Sequence, residues 1–288
     1  MLILFPSDYF DTKQPDSDYR TEYEAVCRIP EFKIILYNHD SFTQGEPLKI
    51  YPSNYYTGDC IYRGWMLNPI QYEALYIFLK NKGTTLINTP EQYNYCHLFP
   101  NVYPQIKEYT PRILCYGHEQ PINWDYVNNT LKRFMVKDYV KSVKGCDFPA
   151  FFETPVKSKD MDIHIASFVE HRGSLFTGGI VLKEYVDLKK YGNATNEYRA
   201  FYLQNELLSL SRNSNQADSC PPPPQTLIDS VKTLQSQYYT VDFAELADGT
   251  WIVLETGDGQ VSGLSPGQWE FKYYDDMRSI VAAAHILK

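Results

Sequence analysis

The chain has 288 residues, of which 43% are hydrophobic, and a formal net charge of −8 at pH 7. This length and composition predict a folded protein with two or three subdomains and exclude a single small core. The negative charge disfavours broad affinity for nucleic-acid backbones or anionic membranes, although a local basic groove is compatible with it.

The expected environment is the reducing cytoplasm. No run of about 18 apolar residues is present, which argues against a membrane helix. The start, MLILFPSDYFD, reads as an apolar strand followed by acids rather than as a signal peptide. The cysteines show no paired spacing, which argues against a zinc site and a disulfide framework. They are Cys27, Cys60, Cys96, Cys115, Cys146 and Cys220.

The first 130 residues have an α/β pattern. Apolar runs predict short strands at 1–5, 33–37 and 86–88, and helical spacing of apolar residues predicts a helix over 69–82. The segment YRGWML at 62–67 reads as a strand that ends in Arg63. Because ligands bind at the open end of such a sheet, Arg63 is a candidate contact for a substrate or a phosphate.

A basic segment follows at 131–145, LKRFMVKDYVKSVKG. Phe134 to Val136 predict a strand that carries Lys137 and leads into a glycine-containing loop with Lys141 and Lys144. Lysine places a compact cation at the end of a long stem, which suits a phosphate. The alternative is a solvated basic face.

A hairpin is predicted at 197–210, EYRAFYLQNELLSL, with its turn at 204–206. Arg199 and, just beyond it, Arg212 are cationic candidates, because an arginine fork binds a phosphoryl group or a carboxylate through two parallel hydrogen bonds. After a proline run at 221–224, helices are predicted at 226–237 and 269–287.

The segment 239–260, YTVDFAELADGTWIVLETGDGQ, predicts a second hairpin that turns at Asp248-Gly249. Pairing across this turn brings Asp242 level with Glu255 on one face. Two carboxylates so close require a proton or a cation, and hard oxygen ligands favour Mg²⁺. Asp258 and Gln260 are further candidate ligands.

In this order, the segments resemble the ATP-grasp superfamily. The resemblance implies an α+β fold in which two lobes enclose a nucleotide, preceded by a Rossmann-like α/β domain. The domains expected from it are residues 1–130, a central lobe at 131–190 and a C-terminal lobe at 191–288. The cofactors that it implies are ATP and Mg²⁺.

The resemblance also implies residue roles. Lys137 and Lys144 match the two phosphate-binding lysines of the family, with Lys141 as a rival for the second. The segment GGIVLKEYVDL at 178–188 matches the adenine-binding hinge. Asp242 and Glu255 match two metal ligands of the family, whereas Gly257 stands where the family has Asn and supplies no side-chain oxygen. The hinge residues are Lys183, Glu184, Tyr185, Val186 and Asp187.

The implied function is that of a ligase that activates a carboxylate as an acylphosphate and joins it to an amine or another nucleophile. Its substrates would be small molecules or peptides. A nucleotide-binding but inactive relative is one alternative, which Gly257 favours. A carbohydrate-active or carbohydrate-binding protein is another, since the chain has 25 tyrosines and a possible carboxylate pair in Asp242 and Glu255.

Overall fold

The structure is a computed structural model that describes residues 1–54, 57–143 and 147–286, with the backbone alone at 285 and 286. The strands are β1 (Leu2–Pro6), β2 (Lys33–Tyr37), β3 (Ile50–Tyr51), β4 (Gly58–Tyr62), β5 (Thr84–Leu86), β6 (Ile113–Gly117), β7 (Arg133–Lys137), β8 (Phe152–Glu153), β9 (Gly179–Glu184), β10 (Lys190–Tyr191), β11 (Ala194–Thr195), β12 (Glu197–Leu203), β13 (Glu206–Arg212), β14 (Tyr238–Glu245) and β15 (Trp251–Asp258). The helices are α1 (Arg20–Cys27), α2 (His39–Thr43), α3 (Pro69–Asn81), α4 (Pro90–His97), α5 (Phe99–Ile106), α6 (Trp124–Thr130), α7 (Ser158–Arg172), α8 (Gln225–Ser230) and α9 (Glu270–Ile286).

The N-terminal sheet has the strand order β3-β2-β1-β4-β5. Its strands β2, β1, β4 and β5 are parallel, and β3 is antiparallel at the edge. Helix α3 begins as its sequence dictates, because Asn68 and Gln71 form a capping box and Pro69 occupies the first turn. The alternation of strands and helices expected for this region is therefore present.

The central sheet is antiparallel, with the order β6-β9-β7-β8. One face packs on α6 and α7 through Phe134, Val136 and Leu182, among other residues. Side chains alternate along a strand, so Met135, Lys137 and Lys183 lie on the other face. That face carries the predicted phosphate lysine of β7.

The C-terminal sheet is also antiparallel, with the order β13-β12-β14-β15, and both predicted hairpins are present. The first turns at Gln204 and Asn205, which both adopt positive φ as a tight hairpin turn requires. Helix α9 covers the sheet with Met277 and Val281, in a core shared with β1 and α1.

The division at residues 130 and 190 stays a prediction. Strand β6 precedes residue 130 and pairs with β9 of the central sheet. The central sheet therefore draws on both sides of the first proposed boundary. Within the described residues, no helix is long and apolar enough to cross a membrane.

Candidate functional site

A cavity of about 370 Å³ lies between the central sheet and strand β15 of the C-terminal sheet. Seven of the residues selected from the sequence line it together: Lys137, Lys183, Glu184, Tyr185, Val186, Asp187 and Glu255. Sequence reasoning missed Met135 and Leu254, which form apolar walls, and Lys190, Thr195 and Glu197. The direction of Met135 follows from strand alternation once Lys137 is placed, so this wall could have been predicted.

One end of the cavity is formed by the predicted hinge, which is fixed on both sides. The Tyr185 N–H donates to the Arg133 carbonyl (2.9 Å), and the Ala247 N–H donates to the Asp187 carbonyl (2.9 Å). Val186 lies between these two ties, and its N–H has no acceptor among the residues that the structure describes. An extended segment with a free N–H can bind a planar base through its main chain.

Arg133 holds the hinge side chains in place. Its guanidinium lies 5.3 Å from the centre of the Tyr185 ring, which stacks on Phe151 at 4.5 Å. The Arg133 Nη2 atom donates to Asp187 Oδ2 (2.5 Å), and this hydrogen bond lowers the pKa of Asp187. Asp187 is 60% exposed, so it presents an ionised carboxylate at the mouth of the cavity.

The other end of the cavity is cationic. Lys137 lies four residues after Arg133 on β7, so the two ends are separated by about 13 Å at 3.3 Å per residue. The Lys137 ammonium forms an ion pair with Glu255, and its side chain is only 5% exposed. A base at the hinge and a phosphate at Lys137 would fit this separation.

Lys183 adds a second buried amine at this end. Its Nζ atom donates to the Leu254 carbonyl and lies 4.3 Å from the centre of the Phe99 ring. Burial, together with the nearby charge of Lys137, lowers the pKa of Lys183 to about 7. The sequence suggested only a main-chain role for this residue, and its side chain provides a titratable group beside Lys137.

Glu255 is held ionised by the surrounding lysines. Burial alone would raise the pKa of its carboxyl group, but Lys137, Lys141 and Lys183 lower it to about 2. A group with this pKa cannot serve as a general acid at neutral pH. The carboxylate is therefore available as an anionic ligand, which the carbohydrate-cleaving alternative does not need.

Asp242 lies directly opposite Glu255 in the hairpin register, as predicted, next to an irregularity after Asp242. The two acids do not share one cation. Arg199 is paired opposite Asp242 on β12 and binds its carboxylate through Nε (2.8 Å) and Nη2 (2.7 Å). Burial opposes the charge of Arg199, but the bonds to Asp242 raise its pKa, so this pair is ionised.

Gly257 faces two hydroxyl groups on the same side of the hairpin. A Cβ atom at Gly257 would lie 3.0 Å from both Ser262 Oγ and Thr240 Oγ1. Ser262 donates to the Asp258 carbonyl (2.8 Å), so the 2.9 Å contact between the two hydroxyls is donated by Thr240. The remaining Thr240 lone pairs are oxygen ligands near the place of the missing Asn side chain.

This donor set fits Mg²⁺ chemically, since it consists of two carboxylates and hydroxyl oxygens. The described part of the chain contains no cluster of three or more histidine, cysteine, aspartate or glutamate side chains that could hold a metal ion. A cation at this hairpin would therefore depend on Asp242, Glu255, the hydroxyls and the phosphates of a bound nucleotide.

Asp258 and Gln260, the other predicted ligands, lie elsewhere. Asp258 follows Glu255 by three residues and points to the opposite face of β15. It accepts hydrogen bonds from Asn88 and from the N–H of Gln260, whose side-chain amide also donates to Tyr72 (2.7 Å). Both residues are fully buried. The structure does not bring them together with Asp242 and Glu255.

Arg63 is also directed inward. It is 1% exposed and forms two 3.0 Å hydrogen bonds with Glu22. Its Nη1 atom donates to the carbonyls of Gly259 (2.5 Å) and Ser262 (2.9 Å). These bonds tie α1 and β4 to the turn after β15. The contacts of Arg63 give no support to the predicted role in substrate binding.

Two further candidates lie outside this cluster. Arg212 is paired opposite Tyr198, one residue before Arg199, and therefore points to the other face of the sheet, where it forms an ion pair with Asp218. Lys144 lies outside the described residues. Its rival Lys141 lies close enough to Glu255 to lower the pKa of that carboxyl group.

The fold is similar to that of several solved ligases at low sequence identity. D-cycloserine synthetase DcsG matches with a TM-score of 0.61 and 13% identity over 98% of this chain and 100% of that chain. The ATP-grasp ligase PsnB, complexed with a phosphomimetic variant of its minimal precursor, Mg and ADP, has a TM-score of 0.56, 12% identity and coverages of 97% and 96%. The D-alanine–D-alanine ligase from Bacillus anthracis complexed with ATP has a TM-score of 0.59, 12% identity and coverages of 98% and 97%.

A search of characterised protein sequences gave no significant match. The sequence model of one protein family, an ATP-grasp domain that is family 3 of its clade, matches residues 124–283. These residues include the central strands, the hinge and both C-terminal hairpins, which together form the cavity. The chain has the mixed α+β ATP-grasp fold, and it belongs to the ATP-grasp family.

Proposed function

We propose that the chain is an ATP-dependent ligase that phosphorylates a carboxylate and joins the acylphosphate to an amine. The observation that carries the proposal is the arrangement of the cavity. A hinge with a free N–H lies at one end, and the ion pair between Lys137 and Glu255 lies about 13 Å away along β7. This spacing and charge suit a nucleoside triphosphate.

Each residue of the cavity has a role in this proposal. The Val186 N–H would bind the base, and the Asp187 carboxylate would accept from the ribose hydroxyls. Lys137 would leave Glu255 for the α-phosphate, and Lys183 would become fully charged beside it. Arg199 uses three of its five N–H groups on Asp242 and Gly263, so two remain for the transferred phosphoryl group.

Mg²⁺ would be held by Asp242, Glu255 and the Thr240 hydroxyl, and it would neutralise charge on the triphosphate. In the nucleotide-free chain both acids are already paired with cations. Nucleotide binding therefore exchanges partners, since the phosphates take Lys137 and thereby release Glu255 as a ligand. Metal and nucleotide are expected to bind cooperatively for this reason.

The inactive-relative alternative depended on the absence of a third ligand at Gly257. Thr240 and Ser262 place hydroxyl oxygens where an Asn side chain would extend, which weakens that argument. A hydroxyl is an accepted Mg²⁺ ligand in nucleotide-binding sites. Turnover remains the direct discriminator between the two functions.

The test is an incubation of the protein with Mg-ATP and pools of amino acids, short peptides and simple amines. A ligase releases phosphate and forms ADP, and mass spectrometry detects a product equal to acid plus amine minus one water. The matched control is the same incubation with excess EDTA. Nucleotide binding without phosphate release in any pool would favour the inactive relative, and formation of AMP and pyrophosphate would contradict the acylphosphate route.

A further inference from the structure

A second cavity, of about 400 Å³, lies on the other side of the loop that follows β7. Lys137 and Ser142 of this loop line the nucleotide cavity, whereas Val140 lines the second cavity. The opposite wall comes from the N-terminal region and includes Asn68 and Gln71. The loop at 137–142 therefore separates the cationic end of one cavity from the other.

Hydrogen-bond donors of the second cavity are left free by the way its walls are built. The capping box of α3 uses the side-chain oxygens of Asn68 and Gln71, which accept from main-chain N–H groups. Their amide nitrogens donate no hydrogen bond within the described part of the chain. Two side-chain amide groups are thus available to a ligand that accepts hydrogen bonds.

A cation lies on the facing wall. Arg172 donates from Nε to Asp138 (2.8 Å) and from Nη2 to the Leu175 carbonyl (3.0 Å). Its Nη1 atom has no acceptor among the described residues. Asp138 also accepts from the N–H groups of Val140 (2.7 Å) and Lys141 (2.6 Å), so the arginine is fixed to the separating loop.

The lining has donors but no acids. No aspartate or glutamate occurs among the described residues that line the cavity. Its two imidazoles are neutral at physiological pH, because burial lowers the pKa of His39 and, with Lys141, lowers that of His97 to about 3. Amide and guanidinium donors without a competing carboxylate suit an anionic, acceptor-rich group.

We propose that this second cavity binds the carboxylate-bearing substrate, an amino acid or a peptide end, through Asn68, Gln71 and Arg172. The inference rests on the proposed ligase function, because it places that substrate one loop away from the phosphate end of the nucleotide cavity. It assigns residues of the N-terminal region to substrate recognition, a role that the sequence suggested only for Arg63.

The test uses Gln71→Glu, which keeps the capping box because a glutamate at this helix position accepts the same main-chain N–H. The change replaces the free amide with a second carboxylate oxygen. Gln92→Glu is the matched control, since Gln92 holds the same place in the capping box of α4 and does not line this cavity. Asn68→Asp, which also remains a good helix cap, is a second variant of the cavity.

Ligand-detected NMR would screen the twenty amino acids and their carboxamides against each protein. We expect at least one free acid to bind while its amide does not, at least about a tenfold loss in Gln71→Glu and Asn68→Asp, and unchanged binding in Gln92→Glu. Equal binding of acids and amides, no binding by any acid, or full binding by both cavity variants would overturn the proposal. ADP calorimetry on the same samples tests the nucleotide site separately, so failure of one proposal is distinguishable from failure of the other.

Discussion

The two faces of strand β15 use acidic residues for opposite purposes. Glu255 lies on the face toward the central sheet, where three lysines lower the pKa of its carboxyl group to about 2. Asp258 lies on the other face, is fully buried, and is surrounded by the neutral donors of Asn88 and Gln260. Burial raises the pKa of Asp258 to about 7. Two acids three residues apart therefore have pKa values on opposite sides of their ordinary range.

This contrast shows which property marks a functional acid here. Glu255 is 30% exposed and holds a mobile cationic side chain, so its partner can be exchanged for a phosphate. Asp258 is bound by groups that also tie the N-terminal sheet to the C-terminal hairpin, including Asn88, which donates to the Tyr238 carbonyl (2.7 Å). Residue type is shared by the two sites, and only the availability of the bound partner distinguishes them.

The largest expected effect is on turnover. Glu255→Gln should reduce Mg-dependent phosphate release at least about a hundredfold, because the variant lacks an anionic metal ligand. Asp258→Asn should stay within about threefold of the wild type, since this side chain faces away from the cavity. A phosphate-release assay on both folded variants decides between them. Equal losses in the two variants would contradict the assignment of function to one face.

A second prediction concerns the pH dependence of stability. Asp258 has a folded pKa of about 7 and an ordinary value of 3.8, so between these values the folded chain holds a proton that the unfolded chain has lost. The free energy of unfolding should therefore fall with rising pH, by at most about 1.4 kcal/mol per pH unit. Urea unfolding between pH 5 and 7 measures this slope.

Asp258→Asn removes that titration and should flatten the difference across this window. Glu255, whose folded pKa is about 2, contributes stability that is fully present above about pH 4.5 and is lost only in more acidic solution. It therefore does not affect the slope between pH 5 and 7. A wild-type slope that persists in Asp258→Asn would show that another group is responsible.

A smaller effect is expected from the hydroxyl that faces Gly257. Thr240→Val keeps the shape of the side chain but removes the oxygen, and it should weaken Mn²⁺ binding in the presence of ADP by about three- to tenfold. Electron paramagnetic resonance of free Mn²⁺ measures this affinity without any turnover. Thr256→Val is the matched control, because Thr256 donates to the Cys96 carbonyl on the other face. Equal affinity in Thr240→Val and wild type would remove the hydroxyl from the site.

The smallest expected signal is a proton. Lys183 has a pKa of about 7 in the nucleotide-free chain, and an adjacent triphosphate would raise it. Nucleotide binding at pH 8 should therefore take up a fraction of a proton, and binding at pH 6, where Lys183 is already charged, should take up less. Calorimetry in buffers of different ionisation enthalpy measures this uptake. Its absence in wild type, or its persistence in Lys183→Met, would contradict the assignment.

Local pattern was sufficient to predict the hairpins. Alternation and an Asp-Gly turn placed Asp242 opposite Glu255, and the register confirms this pair. The same reasoning placed Lys137 on a strand and the hinge after β9. These predictions depend on neighbours in the sequence or on a single turn, where period and turn chemistry determine the geometry.

Long-range partners could not be predicted in this way. Asp258 and Gln260 look like ligands because they follow Glu255 in a polar turn, yet alternation directs Asp258 to the other face, where Asn88 and Tyr72 bind the two residues. The helix predicted at 226–237 ends at Ser230. After it, the N–H groups of Gln237 and Tyr238 donate to Asn88 instead of continuing a helix. In both cases a residue about 150 positions away determines the outcome.

The most direct test is the binding of a Mg-nucleotide to the Glu255 face of β15, measured by titration calorimetry with Lys137→Ala. Losing one phosphate-directed charge should weaken the affinity for Mg-ADP by about ten- to a hundredfold. Lys272→Ala is the control, since Lys272 is 66% exposed and pairs only with Asp276 one helical turn away. We expect wild-type affinity in Lys272→Ala and a clear loss in a folded Lys137→Ala. Unchanged affinity in Lys137→Ala would contradict the placement of the nucleotide in this cavity.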